Sequence, residues 1–263
     1  MSTHTARKRF GQNFLHDPQI IQRIIDALNL LPDDYCIEIG PGQGAITRPL
    51  MERCGQLDVI EIDRDLAAEL QTADWFSKAT LHNADALQFD FSSLTSAPRS
   101  LRLIGNLPYN ISTPLLFHIL SYNHLFSDIH VMLQKEVVQR MTASPGSKIY
   151  GRLTVALAAR CEVESLFTIK PGAFKPAPKV DSAFARLVPL KEPLISAQDS
   201  PAFDAVLRHA FGQRRKQLGN ALQPLLDSSE IRAAGIDPTL RAENLKVSEF
   251  INLSRQLDPQ RIG

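Results

Sequence analysis

Cysteine is scarce in this sequence: Cys36, Cys54 and Cys161 are widely spaced and odd in number. No CxxC pair occurs, so neither a disulfide framework nor a zinc site is indicated, and the thiols are expected to be reduced and mostly buried. An excess of either charge is also lacking. Lys and Arg number 29 against 28 Asp and Glu, a formal net charge of +1, so net charge alone points to no polyanionic partner. No apolar run approaches the roughly 20 residues that span a bilayer. The start of the chain is polar and basic, without the apolar stretch of a secretion signal. The expectation is a cytoplasmic protein with no membrane contact. Internal repeats and low-complexity segments are absent, which excludes repeat arrays.

What is present reads as a folded chain. The 44% hydrophobic and 22% charged residues are near the globular average, and 263 residues suffice for an α/β core with a smaller second domain. Ile20, Ile21, Ile24, Ile25 and Leu28 form a helical stripe, and Tyr35 to Ile39 form an apolar run closing on Gly40, as in a buried strand. Helix recurs over Ala45 to Arg53 and Leu66 to Leu70, strand over Leu57 to Ile62 and Leu101 to Ile104. This alternation predicts an α/β fold with a doubly wound, mostly parallel sheet. Thr113 and Pro114 look like an N-cap followed by Pro at the first helical position, opening a helix over Leu115 to Leu120. Ile129 to Leu133 is a further strand, Leu153 to Ala159 a helix, and Val163 to Ile169 with Ala183 to Val188 an antiparallel pair at the sheet edge.

Prolines, serines and charges from Pro189 to Pro201 mark a linker. A catalytic domain over 1–190 and a small all-helical domain over 191–263 are therefore expected, the latter from the spacing of Phe203, Val206, Leu207, Ala210 and Phe211. Basic residues cluster at Arg7, Lys8 and Arg9, around Lys170, Lys175, Lys179 and Arg186, and at Arg208, Arg214, Arg215 and Lys216. Each cluster reads either as a solvated face or as a local patch for a polyanion.

The run from Glu38 to Gly44, EIGPGQG, falls where the first strand turns into a helix. Glycines there let the backbone approach a ligand and free the helix N-terminus to face it. The G-x-G-x-x-A spacing of Gly40, Gly42 and Ala45 admits NAD almost as readily as S-adenosylmethionine. Glu61, 21 positions after Gly40, is placed to accept hydrogen bonds from both ribose hydroxyls of a bound adenosine, which both cofactors contain. Asp85 follows the next strand-like stretch and reads either as an acceptor for the cofactor's adenine amine or as a turn aspartate.

Asn106, Leu107, Pro108 and Tyr109 separate the two cofactors. They follow directly on a strand, at the carboxyl end where open α/β sheets place ligands, and a dehydrogenase has no need of them. The amine of adenine is a poor nucleophile because its lone pair is delocalised into the ring. The Asn106 amide oxygen and the Leu107 carbonyl can accept its two N–H bonds as nitrogen becomes tetrahedral. Tyr109 offers a ring on which a base can stack.

The wider motifs are more specific. NLPYNIST runs from Asn106 to Thr113, RKRFGQNFL from Arg7 to Leu15, and FKPAPKVDS from Phe174 to Ser182. Together they resemble the adenine N6-dimethyltransferases of ribosomal RNA. QKEVV at Gln134 to Val138, YGRL at Tyr150 to Leu153 and FGQRRK at Phe211 to Lys216 look most like the bacterial small-subunit branch. The resemblance implies a Rossmann-like methyltransferase sheet with one antiparallel edge strand, S-adenosylmethionine as cofactor and no metal. It also implies 16S rRNA in a pre-30S particle as substrate, with two adjacent adenines near its 3′ end each dimethylated. It places Asn13 and Leu15 at the cofactor with Gly40, Gly42, Glu61, Asp85 and Asn106. Phe174, which by itself reads as linker packing, is implied to stack on the target adenine opposite Tyr109. The chain departs from the family at Gly219, where a basic residue is common. A monomer is expected. The alternatives are a sister enzyme acting on large-subunit RNA, a ribosome-assembly factor with methylation secondary, and a NAD dehydrogenase.

Overall fold

A computed structural model of the chain describes residues 12–261; Arg7, Lys8 and Arg9, with the opening of the RKRFGQNFL motif, lie outside the described residues. In chain order the strands and helices are β1 (Phe14–Leu15), α1 (Pro18–Leu28), β2 (Tyr35–Ile39), α2 (Thr47–Met51), β3 (Gln56–Ile60), α3 (Arg64–Gln71) and β4 (Ala79–His82). They continue with β5 (Leu101–Asn106), α4 (Ser112–Ser121), β6 (Phe126–Gln134), α5 (Lys135–Met141), α6 (Arg152–Ala158), β7 (Cys161–Ile169), β8 (Phe174–Lys175) and β9 (Ser182–Pro189). Four helices follow: α7 (Ser200–Gly212), α8 (Leu218–Ala221), α9 (Ser228–Ala233) and α10 (Val247–Arg255). Among the described residues no helix is long and apolar enough to cross a membrane.

The chain forms two compact units, one of residues through Val138 together with Glu164–Pro189, the other of Gln139–Val163 together with residues from Leu190 onward. The sequence boundary at 190 coincides with a crossing between units, while Gln139–Val163, counted on sequence with the sheet, packs with the C-terminal helices. The reason is local: Tyr150 is buried and donates from its hydroxyl to the Leu245 carbonyl at 2.8 Å, and its ring meets Phe211 edge-on.

A seven-stranded sheet has the order β4-β3-β2-β5-β6-β9-β7, its first six strands lying in the first unit. β4, β3, β2, β5 and β6 run parallel to one another, and β9 runs antiparallel to β6, with β7 outermost. The central strands β2, β3 and β5 are buried nearly throughout, as expected of a parallel sheet covered on both faces. α1 starts sharply at Asp17, whose carboxylate accepts from the N–H groups of Gln19 and Ile20, with Pro18 in the first turn, and it buries Ile24, Ile25 and Leu28. β1 pairs antiparallel with β8 as a separate two-stranded ribbon, Leu15 opposite Phe174.

Two expected helix starts shift. α2 begins at Thr47 rather than Ala45, because the turn through Gly40, Gly42 and Gly44, all at positive φ, occupies the residues before it. Thr113 is not an N-cap: α4 begins at Ser112 with Ile111 at the cap, and Ser112 Oγ donates to the Tyr109 carbonyl at 3.2 Å. In the second unit, Phe203, Val206, Leu207 and Ala210 bury one face of α7. At Gly219 a Cβ would meet Ser228 Oγ at 3.2 Å and Pro238 Cβ at 3.4 Å, so a larger residue there requires these neighbours to give way slightly.

Candidate active site

The strand order runs outward in both directions from β2, to β3 on one side and β5 on the other, so their carboxyl ends part over a crevice. A cavity of about 250 Å³ occupies that crevice. It collects Asn13, Leu15, Gly40, Gly42, Glu61, Asp85, Asn106, Leu107 and Tyr109, nine of the ten residues singled out from the sequence. Its wall carries the carboxyl groups of Glu38, Glu61 and Asp85 and, among the described residues, no lysine, arginine or histidine. Such a wall favours a cationic ligand and disfavours a pyrophosphate, which bears two negative charges.

The glycine turn is shaped by its neighbours. Gly44 has φ +79, and a Cβ on it would lie 2.3 Å from the Trp75 ring, which is itself covered by the Arg48 guanidinium at 4.4 Å. A Cβ on Gly42 would meet the Phe14 ring at 2.9 Å. The turn therefore fits only with backbone bare at these points.

Glu61 is 5% exposed and accepts from the Asp63 N–H at 2.8 Å. Burial pushes its carboxyl up, opposed by the N–H groups of Asp63, Gly42 and Ile62. One oxygen of Asp85 accepts from the Leu87 N–H at 2.9 Å, as a turn aspartate does, and the residue also lines the cavity. Ile62 and Leu87 complete the apolar part of the wall, and Ile62 is 44% exposed. Sequence reasoning passed over Ile62; its signal was an apolar residue directly after a strand-terminal acid. Glu38 was also passed over as a separate group. It is 2% exposed, and burial pushes its carboxyl up to about 8.

The Asn106 amide is oriented. Its Nδ2 donates to the Asn13 carbonyl at 3.0 Å, which directs Oδ1 away from that contact as an acceptor. The Leu107 N–H donates to the Met132 carbonyl at 3.1 Å, fixing the turn onto β6. The Tyr109 hydroxyl is 2.5 Å from Ser182 Oγ, and Ser182 is fully buried at the start of β9. Burial raises the Tyr109 phenol, so it remains protonated.

Phe174 is the exception. The structure places it apart from the other nine: it is 3% exposed, does not line the cavity, and belongs to the apolar cluster with Leu15, Ile169 and Ala173. Its opposite number in the ribbon is Leu15. Of the basic clusters, Lys175, Lys179 and Arg186 are exposed, and Lys170 pairs with Asp181 at 2.8 Å. Arg208, Arg215 and Lys216 are exposed, whereas Arg214 donates to the carbonyls of Lys148 and Tyr150, each at 2.8 Å.

Comparison with known proteins agrees with this geometry. Residues 3–258 match a family model described as ribosomal RNA adenine dimethylase. The chain is 53% identical over 260 residues to ribosomal RNA small subunit methyltransferase A of Pseudomonas putida, covering 98% of this chain and 97% of that one. The protein of the same description from Chromobacterium violaceum is 51% identical over 257 residues, covering 98% and 97%. Among solved structures, a dimethyladenosine transferase from Plasmodium falciparum superposes with a TM-score of 0.75 at 25% identity, over 91% of this chain and 95% of that one. A 23S rRNA methyltransferase, ErmE, superposes at 0.68 with 26% identity, over 93% and 99%.

Proposed function

The chain belongs to the ribosomal RNA adenine dimethylase family, and from that premise we propose that it dimethylates N6 of two adjacent adenines in a loop near the 3′ end of 16S rRNA, within an assembling small ribosomal subunit. S-adenosylmethionine is the cofactor of this family and supplies an electrophilic methyl group carried on a sulfonium.

The observation that carries the reading is the oriented amide of Asn106 beside a cavity walled by carboxyl groups without a basic side chain. In this reading Glu61 holds the cofactor's ribose and Asp85 its adenine amine. The backbone at Gly40 and Gly42 admits the ligand closely, and Asn13 and Leu15 close the wall. Asn106 Oδ1 and the Leu107 carbonyl accept the two N–H bonds of the target amine, which steers the nitrogen lone pair out of the ring plane. Tyr109 supplies the stacking face. The rate gain comes mainly from alignment, which can contribute roughly 7 to 11 kcal/mol. The target base must leave its stack at a cost of a few kcal/mol, which favours a loop over a duplex. The protein works as a monomer in the cytoplasm, and the exposed basic residues of the second unit contact RNA phosphates.

The deciding experiment is mass spectrometry of ribosomal RNA after incubating precursor subunits with the protein and S-adenosylmethionine. Two neighbouring dimethyladenosines in 16S rRNA are expected. Methylation confined to large-subunit RNA would overturn the assignment.

A further inference from the structure

Glu38 is a buried carboxyl group in the cavity wall to which the proposed reaction gives no individual role. It stands near the carboxyl end of β2 in the cavity wall, 2% exposed, and its Oε2 has no hydrogen-bond partner. The groups acting on it come from three directions. Glu61, at the end of β3, and Cys54, just before β3, disfavour its ionisation, while Thr47 on α2 is the neighbour that favours it. No lysine, arginine or histidine of the described residues lines the cavity to balance a charge there. A buried, unpartnered carboxylate with acids for neighbours is costly, so the group is held as the neutral acid until a cation arrives.

S-adenosylmethionine brings that cation. Its sulfonium and ammonium outweigh its carboxylate by one positive charge, and the demethylated product, a thioether, lacks the sulfonium charge. We propose that Glu38 releases its proton to solvent when S-adenosylmethionine enters the cavity, so that a carboxylate meets the cofactor's net positive charge, and takes a proton back when the thioether product remains. No bond of the cofactor changes in this step; only the Glu38 O–H bond breaks. Glu38 thereby separates cofactor from product by charge, although the two differ by a single methyl group.

This proposal rests on the S-adenosylmethionine reading of the cavity, and calorimetry tests the two separately. The full chain is titrated with S-adenosylmethionine and with S-adenosylhomocysteine near neutral pH, in phosphate and in Tris, which differ in protonation enthalpy. Release approaching about one proton per S-adenosylmethionine is expected, with clearly less for the product analogue and none for Glu38→Gln. Cofactor affinity should weaken by up to about tenfold per unit as pH is lowered through the neutral range, and this dependence should vanish in E38Q. Infrared difference spectra of the unaltered protein give a readout that needs no variant: the carbonyl band of a protonated carboxyl should disappear when S-adenosylmethionine is added. Cofactor binding without buffer-dependent heat or loss of that band overturns the proposal, as does equal proton release by both ligands. No binding heat at all overturns the cofactor reading itself, and this proposal with it.

Discussion

At Asn106 the amide is fixed at one end only. With Nδ2 on the Asn13 carbonyl, rotation that would present nitrogen instead of oxygen to a substrate amine is opposed by a hydrogen bond. Replacing Asn106 by Ala should slow methyl transfer in a single-turnover assay by roughly 10²- to 10³-fold, the usual loss for one transition-state hydrogen-bonding group. Equilibrium dialysis should show cofactor binding largely retained. Tyr109 is positioned through Ser182, whose burial leaves the phenol one defined partner. Ser182→Ala should cost about 1 kcal/mol of transition-state stabilisation, and a double-mutant cycle with Tyr109→Phe should show the two losses to be non-additive. Additive losses would mean that the hydroxyl pair does not orient the ring. At this scale the sequence is legible where a residue's chemistry has one outlet, as with Glu61 at a strand end. At Phe174 the residue's own chemistry, an apolar ring, reads as packing, and the structure buries it in the cluster with Leu15.

Elements impose their own demands, most visibly at the turn between β2 and α2. Gly44 and Gly146 share a positive φ, +79 and +84, but a Cβ on Gly146 meets nothing within 4 Å, whereas on Gly44 it collides with Trp75. Gly146→Ala should therefore cost only the backbone term, about 1 kcal/mol. Gly44→Ala should cost clearly more in urea denaturation and should also weaken cofactor binding, because the turn must shift to free the ring. Equal costs would show that Trp75 yields without resistance. The periodicities located the principal strands and helices because burial of one face is written in the spacing of apolar residues. They misplaced the starts of α2 and α4 because a start depends on which backbone groups are already engaged, such as the Tyr109 carbonyl under Ser112 Oγ.

Across the first unit as a whole, one polar network joins elements distant in sequence. Arg102 on β5 pairs with Asp34 ahead of β2 and with Asp128 on β6, and it donates to the carbonyls of Leu28 and Asn29 at the end of α1. Burial alone would push the Asp128 carboxyl up, but His130 and Arg102 hold it down at about 2. A carboxyl lowered in the folded state contributes stability above its unfolded value, and that contribution is lost as pH falls through the folded value. Arg102→Met should cost roughly 3–5 kcal/mol at neutral pH by leaving the buried Asp128 carboxylate without its guanidinium partner. The penalty should shrink toward about pH 2 as Asp128 is protonated, which thermal unfolding across that range would show. A penalty unchanged with pH would place the loss in packing rather than charge.

The linear order of residues by itself determined the alternating architecture, the glycine turn, the acid at the end of β3 and the NLPY turn after β5. Each is a local pattern whose physics acts within a few residues. Only the tertiary structure decided that Gln139–Val163 packs with the C-terminal helices, that Phe174 turns into the core, and that Glu38, Glu61 and Asp85 share one wall without a basic side chain. Those outcomes depend on which surfaces meet after the chain has folded back on itself, and burial and electrostatic environment are properties of that meeting rather than of any segment.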